Sequence, residues 1–329
     1  METTNKSANA GERLYPIYVR KGKDPSNFTA GFINAEGKTI IGPVFEDARP
    51  FSEGLAPVQL GGRWGAIDAL GNIKIPCVYQ DFGLGFSEGR ISFCEGNRWG
   101  VLTEDGRVLL PPRYWSVSPF SEGTAYVRNG KHFGFINSHG EEFIPLFFEE
   151  AREFRDGLAP VQLAEKWGYI DHKATFVIEA KFDFALPFRE GLARVASGGR
   201  WGPYGYIRTD GHFVIPPKFP DAYDFNEGLA SVTTEKRGPR GYIDTSGSLV
   251  ISPSYEYTGR FSEGLARVTP LGEQFTHFID YKGQQAFSGS YLGTDVFRNG
   301  LCLVSTMETL AYIDRRGQAV WEGPYVAGR

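Results

Sequence analysis

Phe51-Ser52-Glu53-Gly54-Leu55-Ala56-Pro57-Val58, followed by Arg63-Trp64-Gly65-Ala66-Ile67-Asp68, is the stretch on which the reading of this chain turns. A Phe, two residues and a Gly lead into a short apolar run, and a second apolar run follows a polar turn. The first phrase returns as Phe86-Ser87-Glu88-Gly89, Phe120-Ser121-Glu122-Gly123, Phe154-Arg155-Asp156-Gly157 and Phe188-Arg189-Glu190-Gly191. It continues as Phe225-Asn226-Glu227-Gly228, Phe261-Ser262-Glu263-Gly264 and Phe297-Arg298-Asn299-Gly300. The glycines are 35, 34, 34, 34, 37, 36 and 36 residues apart, so the eight copies form a tandem repeat in phase. A length of 329 residues would allow two ordinary domains. The repeat argues instead for one domain over residues 14–329, preceded by a flexible tail over 1–13.

Each copy reads as three short strands. The first follows the motif Gly, as in Leu55-Ala56-Pro57-Val58-Gln59, and the second is the Trp-Gly phrase. The third is an apolar stretch ending in Pro, for example Phe213-Val214-Ile215-Pro216-Pro217. Between second and third, Asp244-Thr245-Ser246-Gly247 has hairpin chemistry: Asp accepts from nearby amides and Gly takes the positive φ. Pro cannot donate to a ladder, so it marks the limit of the third strand or an edge. A loop of about ten residues is expected before the next motif. So small a unit cannot bury an apolar face alone, which places the repeated Phe, Trp and Ile at seams between stacked units.

The Trp-Gly pairs carry a resemblance. They stand at Trp64-Gly65, Trp99-Gly100, Trp167-Gly168 and Trp201-Gly202, with weaker forms at Phe133-Gly134, Tyr204-Gly205 and Arg240-Gly241. Over about residues 14–323 the chain resembles the bacterial WG-repeat family. The last two copies, Phe278-Ile279-Asp280 and Tyr312-Ile313-Asp314, lack the pair, as capping units would, and Ala174 replaces one turn Gly. The resemblance implies an all-β interaction module with no general catalytic residues. The expected fold is therefore all-β, a tandem array of about nine short three-stranded antiparallel units. An open, twisted, superhelical array is favoured, because nine three-stranded units make an unusual ring and the family's copy number varies. The alternative is a closed, propeller-like toroid, in which Leu14-Tyr15-Pro16-Ile17-Tyr18-Val19 meets the final hairpin by strand sharing.

Composition narrows the function classes. Gly (42), Pro (20), Phe (26) and Tyr (16) are abundant, as expected for short strands and tight turns. Lys and Arg number 35 against 39 Asp and Glu, a net charge of −4 that argues against nucleic acid as partner. No run of about 18 apolar residues occurs, so no membrane partner is expected. The first ten residues have no apolar core of a secretory signal. Three cysteines, Cys77, Cys94 and Cys302, lack metal-ligand spacing and suit a reducing, cytoplasmic setting.

Catalytic signatures are absent from the sequence. His132, His139, His172, His212 and His277 show no zinc-protease spacing, and there is no Walker loop or nucleophile elbow. No cofactor, no metal and no enzymatic activity are expected. Glu53, Glu88, Glu122, Asp156, Glu190, Glu227 and Glu263 recur at one motif position. Such a ladder could hold cations, supply an acid–base pair or attract a basic partner. Repetition favours structural support, of the turn or of the basic residue before the next strand (Arg63, Arg98, Lys166, Arg200, Arg240), since catalysis needs one differentiated pair.

Recognition by repeats comes from positions that vary between similar units. Four residues before the motif Phe stand Asp47, Phe82, Ser116, Glu150, Phe184, Asp221, Tyr257 and Gly293. Phe82, Phe184 and Tyr257, with Trp115 nearby, are the candidate binding residues, expected as an aromatic rim. The functional expectation is a non-enzymatic scaffold binding a protein through its repeat loops, with carbohydrate binding as the alternative.

Overall fold

The computed structural model describes residues 13–20, 28–199 and 202–324. Residues 1–12 of the expected tail over 1–13, together with Arg200 and Trp201 of one Trp-Gly pair, lie outside the described residues. Every described strand pairs antiparallel, so the all-β expectation holds. The unit, however, has four strands. Unit 2 runs Asp47–Ala48, Leu55–Leu60, Arg63–Asp68 and Ile73–Tyr79, in that spatial order. The two-residue first strand lies in the stretch read as loop. Nine units span residues 15–45, 47–79, 81–114, 116–148, 150–182, 184–219, 221–255, 257–291 and 293–324. They form eight hydrogen-bonded sheets among the described residues, because units 7 and 8 share the long strand Leu249–Thr258.

The motif is the turn between the first two strands. Ser52 and Leu55 exchange backbone hydrogen bonds at 2.9 and 3.0 Å around Glu53 (φ 51°) and Gly54 (φ 83°). Two positive φ values in a two-residue loop match the right-handed twist of the flanking strands. A Glu in this region is strained by about 1–2 kcal/mol. The strain is offset by what its carboxylate reaches: Glu53 accepts from the amides of Glu88 and Gly89 in the next unit, both at 2.8 Å.

The Gly of Trp-Gly has a different task. A Cβ at Gly65 would stand 2.4 Å from the Ile75 carbonyl oxygen, and at Gly168 2.6 Å from that of Ile178. At this point the pairing of the third and fourth strands shifts register, between Trp64 and Ala66 and between Trp167 and Tyr169, so the last strand bulges onto the bare glycine. His277 and Ala311 hold the position in units 8 and 9. There His277 anchors to the Gly289 carbonyl at 2.9 Å beside a fourth segment held only by isolated bridges, and Ala311 pairs regularly with Glu322. These two departures alter local pairing and are not caps.

Nine apolar clusters occupy the seams, each drawing on two units. The motif Phe meets an aromatic of the preceding unit edge-on, as in Phe135–Phe154 at 5.0 Å and Tyr206–Phe225 at 4.7 Å. The ninth cluster joins Tyr15, Ile17 and Ile33 of unit 1 to Leu301 and Tyr312 of unit 9. Tyr15 donates its hydroxyl to the Asn299 carbonyl at 2.5 Å, and Tyr312 donates to the Pro16 carbonyl at 2.9 Å.

The chain therefore closes into a β-propeller. The open superhelical array is incorrect, and so is closure by strand sharing: the strand Tyr15–Arg20 pairs with Phe28–Ile33 of its own unit, and the final seam is side-chain packing. Sequence spacing measures the length of a unit but not the angle between units. That angle follows from the wedge shape of the seams: in units 2 to 6 a two-residue strand edges the sheet on one side and a seven-residue strand such as Ile73–Tyr79 on the other, while unit 1 has three strands among the described residues.

Candidate functional site

The predicted aromatic rim loses one of its four residues to the core. Phe82 is only 2% exposed and packs in the seam of units 2 and 3 with Trp64 and Phe93. Its misplacement has a local cause. Unit 3 carries one more residue before its motif, Gly83-Leu84-Gly85, so a fixed offset of four lands on Phe82 instead of Asp81, the counterpart of Asp47. Phe82 is thereby the structural equal of buried Ala48 and Ala151, and not of the variable surface position.

Trp115, Phe184 and Tyr257 do reach the surface, and each carries arginine. Trp115 is 48% exposed, with Arg98 and Arg128 centred 5.5 and 5.8 Å from its ring. In units 2, 3, 5 and 6 its position holds Glu46, Gln80, Glu149 or Asp183, whose side chains accept from turn amides of their own unit. Lys166 donates to Asp183, which with the Gly198 and Gly199 amides holds that carboxyl below the ordinary range. Trp115 gives up this turn support and presents a large amphipathic ring instead.

Phe184 lies beneath Arg152 and Arg194, and Arg194 also covers Tyr204 and Tyr223. Arg240 stands over Tyr223 at 4.9 Å and pairs with Asp221 at 2.5 Å. Tyr257 accepts from Arg267 at 2.9 Å, with that guanidinium 5.4 Å from its ring centre. The result is a belt of arginines laid on aromatic rings through units 5 to 8. Two cavities open along it, of about 690 Å³ beside Phe184, Tyr204, Lys236 and Arg237, and of about 310 Å³ beside Tyr257, Arg260 and Arg267. Tyr223 lines both.

The belt has a structural task as well. Arg49, Arg194 and Arg267 donate to the carbonyls of Phe82, Ala222 and Thr294, the second residues of the short strands in the following units. Those strands pair on one side only, and the arginines satisfy the other edge. Tyr223, Arg194, Arg240 and Arg267 are absent from the sequence-based selection. A signal for Arg194 and Arg267 exists: the third residue after the motif Gly is Pro57, Ser92, Tyr126, Pro160, Arg194, Ser231, Arg267 and Leu303, as variable as the position four before the motif Phe.

The carboxylate ladder serves the turns. Each motif acid accepts from the amides of the next unit's motif turn, as in Glu88 with Gly123 at 2.9 Å and Asp156 with Gly191 at 3.3 Å. Of the basic residues named as possible partners, Arg63 pairs with Glu95, Lys166 with Asp183 and Arg240 with Asp221 instead. His172 stacks on Phe154 at 4.1 Å and approaches Glu122 at 3.4 Å. Among the described residues no group of three or more His, Cys, Asp or Glu is placed to hold a metal ion.

The geometry defines a closed ring of repeated β-sheets with its differentiated chemistry along one arc. The sequence matches the model for the WG-containing repeat at residues 31–64, 64–99, 99–131, 133–167, 167–201, 204–236 and 241–269, and the chain belongs to that family. No curated protein matches it. Among solved structures it is similar to a eukaryotic initiation factor, with 12% identity over 96% of each chain and a TM-score of 0.67. That likeness is one of fold. Kluyveromyces lactis Hsv2p matches with a TM-score of 0.47 and 8% identity, over 75% of this chain and 97% of its own.

Proposed function

We propose that this chain is a non-catalytic scaffold that binds a protein partner through the arginine–aromatic arc running from Trp115 to Tyr257. A repeat-built propeller fits a binding scaffold in general. The observation that carries the protein-partner reading is the composition of the arc: exposed Trp115, Tyr223 and Tyr257 interleaved with Arg194, Arg240 and Arg267. Trp, Tyr and Arg are the residues that dominate protein–protein hot spots. A non-enzymatic role is supported by the ladder, whose carboxylates are engaged by backbone amides and are not poised as an acid–base pair. The sugar-binding reading has less support, because guanidinium groups already lie over Phe184, Tyr204 and Tyr223. Free Cys77, Cys94 and Cys302 favour a reducing compartment.

The test is affinity capture with immobilised protein, using a Trp115→Ser, Tyr223→Ser, Tyr257→Ser variant as the matched control. A protein retained by the wild type and lost from a variant of unchanged circular dichroism supports the arc. Equal retention by both removes the arc from consideration.

A further inference from the structure

The smaller cavity has a chemistry that the scaffold reading does not use. It lies at the seam of units 7 and 8, and its lining brings Arg189 from unit 6 together with Arg260 and Arg267 from unit 8. Asp224 and Asp295 are the acids of that lining. Asp224 is already committed, lying 3.7 Å from Arg189 and 3.2 Å from Arg194. Asp295 accepts the amide of Val296. Arg260 and Arg298 are exposed and make no ion pair or side-chain hydrogen bond among the described residues. The Nε of Arg267 is buried and also has no hydrogen-bond partner there.

Partial desolvation at the cavity mouth, with Arg298, Arg189 and Arg267 close by, holds the Arg260 guanidinium below its ordinary value, against the opposing pull of Asp295. Five arginines (189, 194, 260, 267 and 298) thus gather around two carboxylates in a chain of net charge −4. Folding gains nothing from crowding like charges. A bound anion would relieve the repulsion.

We propose that this cavity is a binding site for a phosphate group, held by Arg189, Arg260 and Arg267 of its lining, with Arg298 of unit 9 adding charge beside Arg260. A tetrahedral dianion offers acceptors to guanidinium forks arriving from several directions, whereas a lone carboxylate occupies one fork. A cavity of about 310 Å³ admits a phosphate monoester of modest size or the phosphorylated side chain of a peptide. The site does not depend on the arc having a protein partner.

Calorimetric titration of the full chain, at constant ionic strength with chloride as the reference anion, tests the proposal. The probes are inorganic phosphate, glycerol phosphate and a phosphoserine peptide with its unphosphorylated twin. The variants are Arg260→Gln and Arg298→Gln, with Arg316→Gln in an exposed hairpin turn as control. The wild type and Arg316→Gln should bind phosphate alike, and each cavity variant should lose about tenfold in affinity. The cavity variants should also melt at or above the wild-type temperature, since they lose no partner and relieve repulsion. Tighter binding of the peptide than of glycerol phosphate identifies a peptide source, and the reverse order a small molecule. Phosphate binding no stronger than chloride, or equal in Arg260→Gln and the wild type, overturns the site.

Discussion

Glu227, in the motif turn of unit 7, accepts a hydrogen bond from the backbone N–H of Gly264, in the motif turn of unit 8, at 2.9 Å. The same carboxylate takes the amide of Glu263 at 2.7 Å and the hydroxyl of Tyr281 at 2.8 Å. Burial raises its pKa, but the Gly264 amide, Tyr281, the Glu263 amide and Arg315 outweigh it and leave the group below its ordinary 4.5. A carboxyl depressed in the folded state stabilises fully above its unfolded value and loses that contribution as pH falls through the folded one. Seam stability should therefore decline as the pH drops below about 4. Glu227→Gln should melt lower than wild type at pH 7 and show a shallower acid decline. Parallel acid curves for the two proteins would show that this carboxylate does not hold the seam.

Closure makes a sharper demand on one glycine. At Gly37 (φ +77°) a Cβ would lie 1.8 Å from the Val320 carbonyl oxygen, whereas at Gly71 (φ +83°), in the same turn of unit 2, it would lie 3.5 Å from Ile41 Cγ2. Both substitutions to Ala incur the left-handed strain of about 1–2 kcal/mol. Only Gly37→Ala also forces the two ends of the ring apart. It should melt well below Gly71→Ala and scatter X-rays with a larger radius of gyration. Equal melting and equal size would mean that the final seam yields to a methyl group.

Phe82 and Trp115 should part company on truncation. Phe82→Ala empties a fully packed seam and should cost about 3–5 kcal/mol by urea denaturation. Trp115→Ala removes a half-exposed ring and should change stability by about 0.5 kcal/mol or less. A large loss at Trp115 would assign the ring to structure and withdraw it from the binding arc.

The sequence made legible whatever depends on local chemistry. The phase of the motif, the glycine turns, the three longer strands and the seam role of Phe and Trp can all be read from neighbouring residues. The two-residue edge strand is not legible, because Asp47–Ala48 or Glu150–Ala151 carries no alternation by which to recognise it. Closure was hidden for another reason: it rests on Tyr15, Asn299, Pro16 and Tyr312, whose pairing across the chain leaves no mark on spacing. Within the candidate site, Phe184 and Tyr257 stand out in the sequence because their position varies between units, and Trp115 because it lies beside that position. Phe82 was mistaken through the added residue of Gly83-Leu84-Gly85.

The seam between Tyr15 and Tyr312 has a wider consequence. A rod built from repeats can lengthen by one and keep every joint unchanged. Here the wedges must sum to one full revolution, so the width of any sheet constrains all the others. Deleting a single repeat would leave a gap or splay every remaining joint. Copy number in this molecule is thus a global geometric quantity, and an extra residue such as the one in unit 3 is tolerated where it reaches solvent, as the exposed Leu84 does.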